Sequence, residues 1–468
     1  MVVAAEAGYA FPSRMKSFDA IVLGAGQAGP PLAGRLTAAG MSVALVERNL
    51  FGGTCVNTGC MPTKTLVASA RVAHVARRAA DFGVVLDGEV RVDMKRVKAR
   101  ADAVVESARS GVRAWLDGMD RCTVVEGHAR FESKTTVRVG DELLSAPRIF
   151  VNVGGRARIP EIPGVDRVPY LTNTTMLALD ELPRHLVVVG GSYVGLEFAQ
   201  MFRRFGSEVT VVEMGPRLVS REDPDVSDAV KEILEGEGIR VRTDATCISL
   251  APSPDGVSIG LQCTGESVAV GSHVLLAVGR RPNTDDLGLD RAGIEVDTRG
   301  YIVVDDELRT TASGIWALGD CNGKGAFTHT AYNDFEIVAA NLLDGERRRV
   351  SDRIDAYALY IDPPLGRAGL TETEARRRGF RVEIATRPMT RVGRAKEKDE
   401  TLGFMKVVVD AATDQVLGAS ILGTEGDEAI HGVLDLMYAR GTRETLVRTV
   451  PIHPTVSELL PTLFAAVE

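Results

Sequence analysis

The first regular pattern along the chain is a short apolar run, Ala20 to Leu23, bounded by glycine. Its length and its glycine border predict a buried strand rather than a helix. A glycine turn follows, then an amphipathic helix, a stop at Gly40 and a second apolar run ending on Glu47. The whole stretch, AIVLGAGQAGPPLAGRLTAAGMSVALVER, finds a counterpart in LVVVGGSYVGLEFAQMFRRFGSEVTVVEM from Leu186. A shift of 166 residues carries Gly24 onto Gly190, Gly29 onto Gly195, Gly40 onto Gly206 and Glu47 onto Glu213. Matches of the right chemical type at one offset mark an internal repeat.

Each copy reads as strand, glycine turn, helix and second strand, the opening of a doubly wound α/β nucleotide-binding fold. The first glycine allows the tight turn. The middle position, Gly26 in one copy and Ser192 in the other, lets the backbone approach a pyrophosphate. The third lets the helix pack close on the strand. The anion then sits at the helix N-terminus, where N–H groups and the helix dipole favour negative charge. Glu47 and Glu213 are placed to accept hydrogen bonds from a ribose hydroxyl. Two such sites fit a donor and an acceptor side by side, namely FAD and a nicotinamide dinucleotide.

Later patterns divide the rest of the chain. VNVGGRARIPEIPG, containing Gly154, has the Gly and Pro density of a domain junction. AVGRRPN, containing Gly279, reads as a strand and a second crossover. IWALGDCN predicts a buried strand ending at Gly319 and Asp320, a short acid suited to a sugar or polyol hydroxyl. Beyond about Ser351 the character changes: GFMKVVVDAATDQVLGASILG reads as strand, turn and strand, and EAIHGVLDLMYARG as an amphipathic helix. This part predicts a separate α+β domain.

The 468 residues suggest about three domains. With 55 Lys+Arg against 63 Asp+Glu, the net charge of -8 offers no basic footprint for nucleic acid. No apolar run reaches the roughly 18 residues of a membrane span. The first residues carry Glu6 where a signal peptide would be basic. The expected setting is therefore the cytoplasm, where the six cysteines do not form a disulfide framework. Cys122, Cys247, Cys263 and Cys321 stand alone and read as small core or loop residues.

Cys55 and Cys60 differ, because both lie in the glycine-rich FGGTCVNTGCMPTK. Pro62 suits the first turn of a helix, and Leu66, Val67, Ala70, Ala73 and Val75 supply its apolar positions. Five residues of regular helix rise about 7.5 Å, beyond the roughly 6.8 Å Cα limit of a disulfide. A Cys55–Cys60 bond therefore requires a looped segment before Pro62, which Gly52, Gly53 and Gly59 permit. Cys60 would then head the helix, where the dipole stabilises a thiolate, and Cys55 would be freer to exchange. A metal site and two inert thiols are the competing readings, although a lone C-x4-C is poor zinc spacing.

GGTCVNTGCMPTK resembles the signature of the class I pyridine nucleotide-disulfide oxidoreductases, which include dihydrolipoamide dehydrogenase, glutathione reductase and mercuric reductase. The resemblance runs from about Phe18 to Pro461. It implies FAD in the first nucleotide site and NAD(P)H in the second. The implied domains are residues 1–155 (first part of the FAD domain), 156–282 (NAD(P) domain), 283–350 (completing the FAD domain) and 351–468 (dimer interface). Cys60 corresponds to the thiol beside the flavin that forms the charge-transfer complex, and Cys55 to the interchange thiol. Lys64 and Glu197 correspond to an ion pair near flavin N5. Tyr193 corresponds to the aromatic over the nicotinamide pocket, and Asp320 to the acid that binds the FAD ribityl or phosphate region. Further cofactor contacts are expected at Gly53, Thr54, Gly154, Gly279 and Gly319. No metal site is expected.

His453, in PIHPTVSELLP, resembles the family's catalytic histidine, with Glu458 as the acid that orients it. In the family this dyad serves the disulfide of the opposite subunit, which implies a homodimer. Substrate is less legible. Mercuric enzymes replace that histidine and carry a C-terminal cysteine pair, whereas no cysteine follows Cys321 here. Yet PTKTL, AFTHTAYNDFEIVAANLLDG and YALYIDPPLGRAGLTE resemble a mercuric-reductase-like subgroup of FAD-containing oxidoreductases. The expected activity is electron transfer from NAD(P)H, through FAD and Cys55–Cys60, to a small disulfide or thiol-reactive substrate. Reduction of a mercuric or cupric ion and dihydrolipoamide dehydrogenase activity are the alternatives. Glu213 favours NADH by repelling a 2′-phosphate, with Arg217 and Arg221 close enough to soften the preference.

Overall fold

In the computed structural model, which describes residues 15–262 and 267–467, both copies of the repeat take the predicted form. Cys263 lies outside the described residues. The first copy is β1 (Ala20–Leu23), α1 (Gly29–Ala38) and β2 (Val43–Glu47). It is followed by α2 (Gly53–Thr58), α3 (Cys60–Arg77), β3 (Cys122–Glu126) and β4 (Ile149–Val151). The second copy is β5 (His185–Val189), α4 (Tyr193–Phe205) and β6 (Glu208–Val212), continued by β7 (Arg240–Arg242) and β8 (His273–Leu276).

The strands of each copy pair in parallel, Ala20 opposite Val43 in the first and His185 opposite Glu208 in the second. The second sheet runs β7-β6-β5-β8. The first gains a fifth strand late in the chain, β9 (Ile315–Ala317), and runs β9-β4-β1-β2-β3. A parallel sheet covered on both faces needs strands that are apolar throughout. Every residue of β1 and β2 is accordingly buried, as are Leu186 to Val189 of β5. Each fully buried Val or Leu contributes roughly 1.5–3 kcal/mol relative to exposure.

The chain divides into two compact units. One holds the described residues up to Asn57 together with Val105–Arg156 and Arg280–Asp352. The other holds Thr58–Val104, Ala157–Gly279 and the described residues from Arg353 onward. The C-terminal sheet lies in this second unit. It is antiparallel and contains β10 (Ala356–Leu359), β11 (Leu365–Gly369), β12 (Val382–Pro388), β13 (Phe404–Asp410) and β14 (Val416–Leu422), in the order β10-β11-β14-β13-β12. Met405, Val407, Ala419 and Ile421 of its strands pack with Leu463 and Phe464 of α5 (Leu460–Ala465). The C-terminal part is thus the α+β layer expected from its strand-turn-strand pattern.

Candidate active site

Main-chain geometry accounts for the repeated glycines. Gly24 has φ +109° and Gly190 φ +117°, a region that side-chain-bearing residues enter only at a cost. A Cβ on Gly24 would meet the Asn152 carbonyl oxygen at 2.3 Å, and one on Gly190 the Ala277 oxygen at 2.4 Å. At Gly29 and Gly195 the helix presses on the turn, so a Cβ would lie 2.1 Å from the oxygen of Gly24 or Gly190.

The terminal acids brace these turns. Glu47 accepts the Ala25 N–H through Oε2 at 2.7 Å and the Asn49 N–H through Oε1 at 2.8 Å. Glu213 accepts from Gly191 at 2.6 Å and from Gly215 at 2.7 Å in the same way. Carboxylate oxygens keep further lone pairs, so a ribose hydroxyl can still be received. Gly26 faces Gly53, where a Cβ would come within 2.8 Å of the Gly26 Cα. Ser192 is the exposed N-cap of α4, and Tyr193 is its half-buried first residue. Arg217, offered as a softener of Glu213, is engaged by Asp228 at 2.6 Å.

The cysteine segment departs from the sequence reading. Cys55 lies within a helix, α2, rather than in a loop, and the chain breaks only at Gly59, with φ -139° and ψ -119°. That single non-helical residue removes the objection from helical rise, because α2 and α3 are separate helices. Cys55 is half-buried and Cys60 exposed. Cys60 is the first residue of α3, with Pro62 in its first turn as predicted. Leu66, Ala70 and Ala73 are buried, whereas Val75 is exposed. Two asparagines that the motif reading missed hold the segment. Asn57 donates to the carbonyls of Phe51 and Gly53, each at 2.9 Å, and Asn173 donates to that of Thr58 at 2.8 Å.

Lys64 lies one turn beyond Cys60, on the same face of α3. Its ammonium donates to Glu197 Oε2 at 2.5 Å, and the Glu197 side chain is only 4% exposed. Tyr193 and Glu197 share a face of α4. Tyr360, also missed, completes the group. Its N–H donates to Glu197 Oε1 at 3.0 Å, and the Lys64 Nζ stands 4.5 Å from its ring centroid. Burial pushes the Tyr360 phenol up, with Asp427, Glu197, Glu428 and Cys60 adding to the effect.

Farther along the same helices, Arg71 and Arg204 both grip Asp362, at 2.7 and 2.5 Å. Gln200 accepts the Asp362 N–H at 2.7 Å, and Glu237 pairs with Arg204 at 2.6 Å. No short motif signals this network, because its members are spread over the chain.

Around the first nucleotide turn, Asp320 stands in the short 3-10 turn Gly319–Asn322. Burial pushes its carboxyl up despite Arg280 at 3.5 Å. Arg280 also donates to the Gly155 carbonyl at 2.5 Å and reaches Thr54 Oγ1 at 3.5 Å. The Gly319 N–H is held by the buried Asp334 at 2.8 Å. Gly154 and Gly279 have positive φ, and the space where a Cβ would point is open at both. Cys321 is buried, which pushes its thiol up to about 12 and leaves it unreactive.

His453 Nδ1 lies 2.7 Å from Glu458 Oε2. Thr455 holds this bend by donating to the Ile452 carbonyl and accepting the Glu458 N–H. The imidazole is 79% exposed and the carboxylate 16%. His128 and His273 also face carboxylates, Asp286 and Glu181, but at 3.6 Å.

Residues 18–334 match the model of the pyridine nucleotide-disulphide oxidoreductases, and residues 356–464 match that family's dimerisation domain. The chain belongs to this family. The oxidoreductase is 36% identical over 462 residues to the probable pyridine nucleotide-disulfide oxidoreductase RclA of Escherichia coli K12, covering 97% of this chain and 100% of that one. It is 33% identical over 416 residues to the mercuric reductase of Bacillus cereus, spanning 88% of this chain and 66% of the relative. The solved Cu(II) complex of the HOCl-induced flavoprotein disulfide reductase RclA from Escherichia coli superposes with TM-score 0.88 at 34% identity, covering 97% of this chain and 100% of that one. The oxidoreductase thus has two Rossmann-like domains and a C-terminal α+β dimerisation domain, and is an FAD-dependent enzyme linked to a pyridine nucleotide.

The residues present fit those cofactors. The Gly26–Gly53 approach leaves backbone alone at the mouth of α1, where a pyrophosphate needs it. The half-compensated Asp320 carboxylate suits a hydroxyl donor. The second turn offers the same open N-terminus on the thirteen-residue α4.

Proposed function

We propose that Cys55 and Cys60 form the redox-active disulfide of this oxidoreductase, and that it reduces a small disulfide or thiol-reactive oxidant at the expense of NADH. When bound, FAD would supply a two-electron relay between the nicotinamide and the disulfide. In this reading residues 1–155 and 283–350 build the FAD domain, 156–282 the NAD domain and 351–468 the subunit interface. Gly24, Gly26, Gly29, Glu47, Gly53, Thr54, Gly154, Gly319 and Asp320 hold FAD, with Lys64 alongside. Gly190, Ser192, Tyr193, Gly195, Glu213 and Gly279 hold the nicotinamide dinucleotide.

One observation carries the reading: Cys60 heads α3 while Lys64, paired with the buried Glu197, lies one turn behind it on the same face. Helix N-terminus and cation together favour a thiolate at Cys60. The Cys55 thiolate attacks a substrate disulfide, forming a mixed disulfide and expelling one substrate thiolate. His453 of the partner subunit gives that thiolate its proton. The Cys60 thiolate then attacks Cys55 Sγ, restoring the Cys55–Cys60 bond and releasing the second substrate thiolate. The exposed His453 imidazole supports a homodimer, because Val450 and Ile452 beside it are 96% and 79% exposed and await cover. The Arg217–Asp228 pair supports NADH, since it engages one of the two arginines that follow Glu213 in the chain.

A second reading is reduction of a thiol-seeking metal ion. The E. coli flavoprotein has been solved as a Cu(II) complex, and another relative is a mercuric reductase. The deciding experiment has two parts. NADH added anaerobically should expose two alkylatable thiols that map to Cys55 and Cys60; their absence would refute the proposal. NADH and NADPH oxidation would then be followed with lipoamide, glutathione disulfide, quinones, mercuric and cupric ions. Turnover with the metal ions alone would favour the second reading.

A further inference from the structure

Glu197 divides its two carboxylate oxygens between Lys64 and the backbone of Tyr360. Oε2 takes the lysine ammonium at 2.5 Å and Oε1 takes the Tyr360 N–H at 3.0 Å. The Tyr360 ring turns onto the same ammonium, 4.5 Å from Nζ to centroid. One residue therefore fixes both members of the ion pair, the anion through its main chain and the cation through its π-face. A lysine is a compact charge on a flexible four-carbon stem, so a single salt bridge fixes it poorly. A partly desolvated aromatic face attracts the ammonium and gives it a second anchor.

This arrangement has an electrostatic consequence. The Lys64 side chain is 34% exposed, so on its flexible stem the ammonium would otherwise spend time turned toward solvent. Held by the ring as well as by Glu197, it keeps its positive charge at one place. A fixed cation close to a flavin stabilises the electron-rich reduced form, and charge near N5 is a recognised lever on flavin electronics. We propose that Tyr360 is a positioning residue that fixes the Lys64 ammonium in place while it stays paired with Glu197, and so raises the reduction potential of the flavin. The inference rests on the reading above that places Lys64 beside FAD, and it adds a residue that no cofactor motif contains.

The test uses the holoenzyme and reads the flavin midpoint potential by equilibration with redox dyes. Phenylalanine and its mono-, di- and trifluorinated forms are introduced at position 360, because fluorine weakens the ring face with little change of shape and folding. The potential should stay at the wild-type value with phenylalanine and become more negative with each added fluorine. In a Lys64→Met background, itself shifted negative, the fluorinated series should be flat. A flat series with Lys64 present, or a slope that persists without it, would overturn the role of Tyr360. If Lys64→Met alone left the potential unchanged, the placement of Lys64 beside the flavin would fall, and the inference with it.

Discussion

The Glu213 carboxylate accepts the backbone N–H of Gly191 at 2.6 Å. The same bond recurs 166 residues earlier, from Ala25 to Glu47 at 2.7 Å. Each acid holds the turn of its own repeat, and in the proposed reading it also receives that repeat's nucleotide, so its removal should act on one cofactor only. A hydrogen bond to a charged group is worth about 1.5–3 kcal/mol, or roughly a 10–100-fold change in binding. Glu213→Ala should raise the KM for NADH by that factor while the purified protein stays yellow. Glu47→Ala should instead lower the flavin content per chain. Flavin absorbance and steady-state NADH kinetics on the two variants check both statements.

Cys55→Ala should abolish reduction of a disulfide acceptor while leaving FAD bound. Cys55 is half-buried on α2. Anaerobic stopped-flow with NADH should still show bleaching of the flavin, followed by no turnover when acceptor is added. Retained turnover with a disulfide would remove Cys55 from the exchange step.

The repeat was plain in the sequence because it is local. Gly24 and Gly190, Gly29 and Gly195, and Glu47 and Glu213 each stand at a spacing fixed by one strand, one turn and one helix. The bond between Glu213 and Gly191 follows from that spacing, although the motif pointed outward to a ribose. The path of the cysteine segment was misjudged because glycines permit a loop without requiring one. Gly59 alone breaks the helix, and Asn57 and Asn173 hold the chain that leads into the break. Tyr360, Asp362 and Arg204 escaped notice for a different reason. Their partners lie 33 to 296 positions away in the chain, and nothing in their immediate neighbours marks a buried charge network. Lys64 and Glu197 were found only through family resemblance, since they too are distant in sequence.

Asp362 supplies a prediction about acid stability. Burial alone would raise its carboxyl, but Arg204 and then Arg71 overcome that and hold it below the usual carboxylate range. Its folded pKa is therefore lower than its unfolded value of about 3.9. Its contribution is fully present above that value and is lost as pH falls through the folded pKa. Asp362→Asn leaves the buried Arg204 and the part-exposed Arg71 each short of a partner, a change of about 3–5 kcal/mol when a buried pair such as Arg204–Asp362 is broken. Denaturant melts should show that deficit at pH 7, and the gap from wild type should narrow as the pH is taken below about 4. An equal gap at every pH would contradict the assigned protonation.

The exposed His453 and its half-buried partner Glu458 give the last prediction. His453→Gln keeps the size of the side chain but cannot take up and return a proton. Loss of general acid–base catalysis costs about 10²–10⁴-fold, so disulfide turnover should fall by that factor with flavin reduction unaffected. If the histidine serves the cysteines of the opposite subunit, two dead variants can repair one another. A dimer of one Cys55→Ala chain and one His453→Gln chain has one ruined site and one site with both groups intact. Equal amounts of the variants, dissociated and allowed to reassociate at random, should recover roughly a quarter of wild-type turnover, because half the dimers are mixed and each has one working site. If both groups acted within one chain, the mixture would stay as inactive as its parents. Recovery measured against a Cys55→Ala, His453→Gln double variant mixed with wild type separates the two arrangements, since that pairing leaves no intact site across the interface in a mixed dimer.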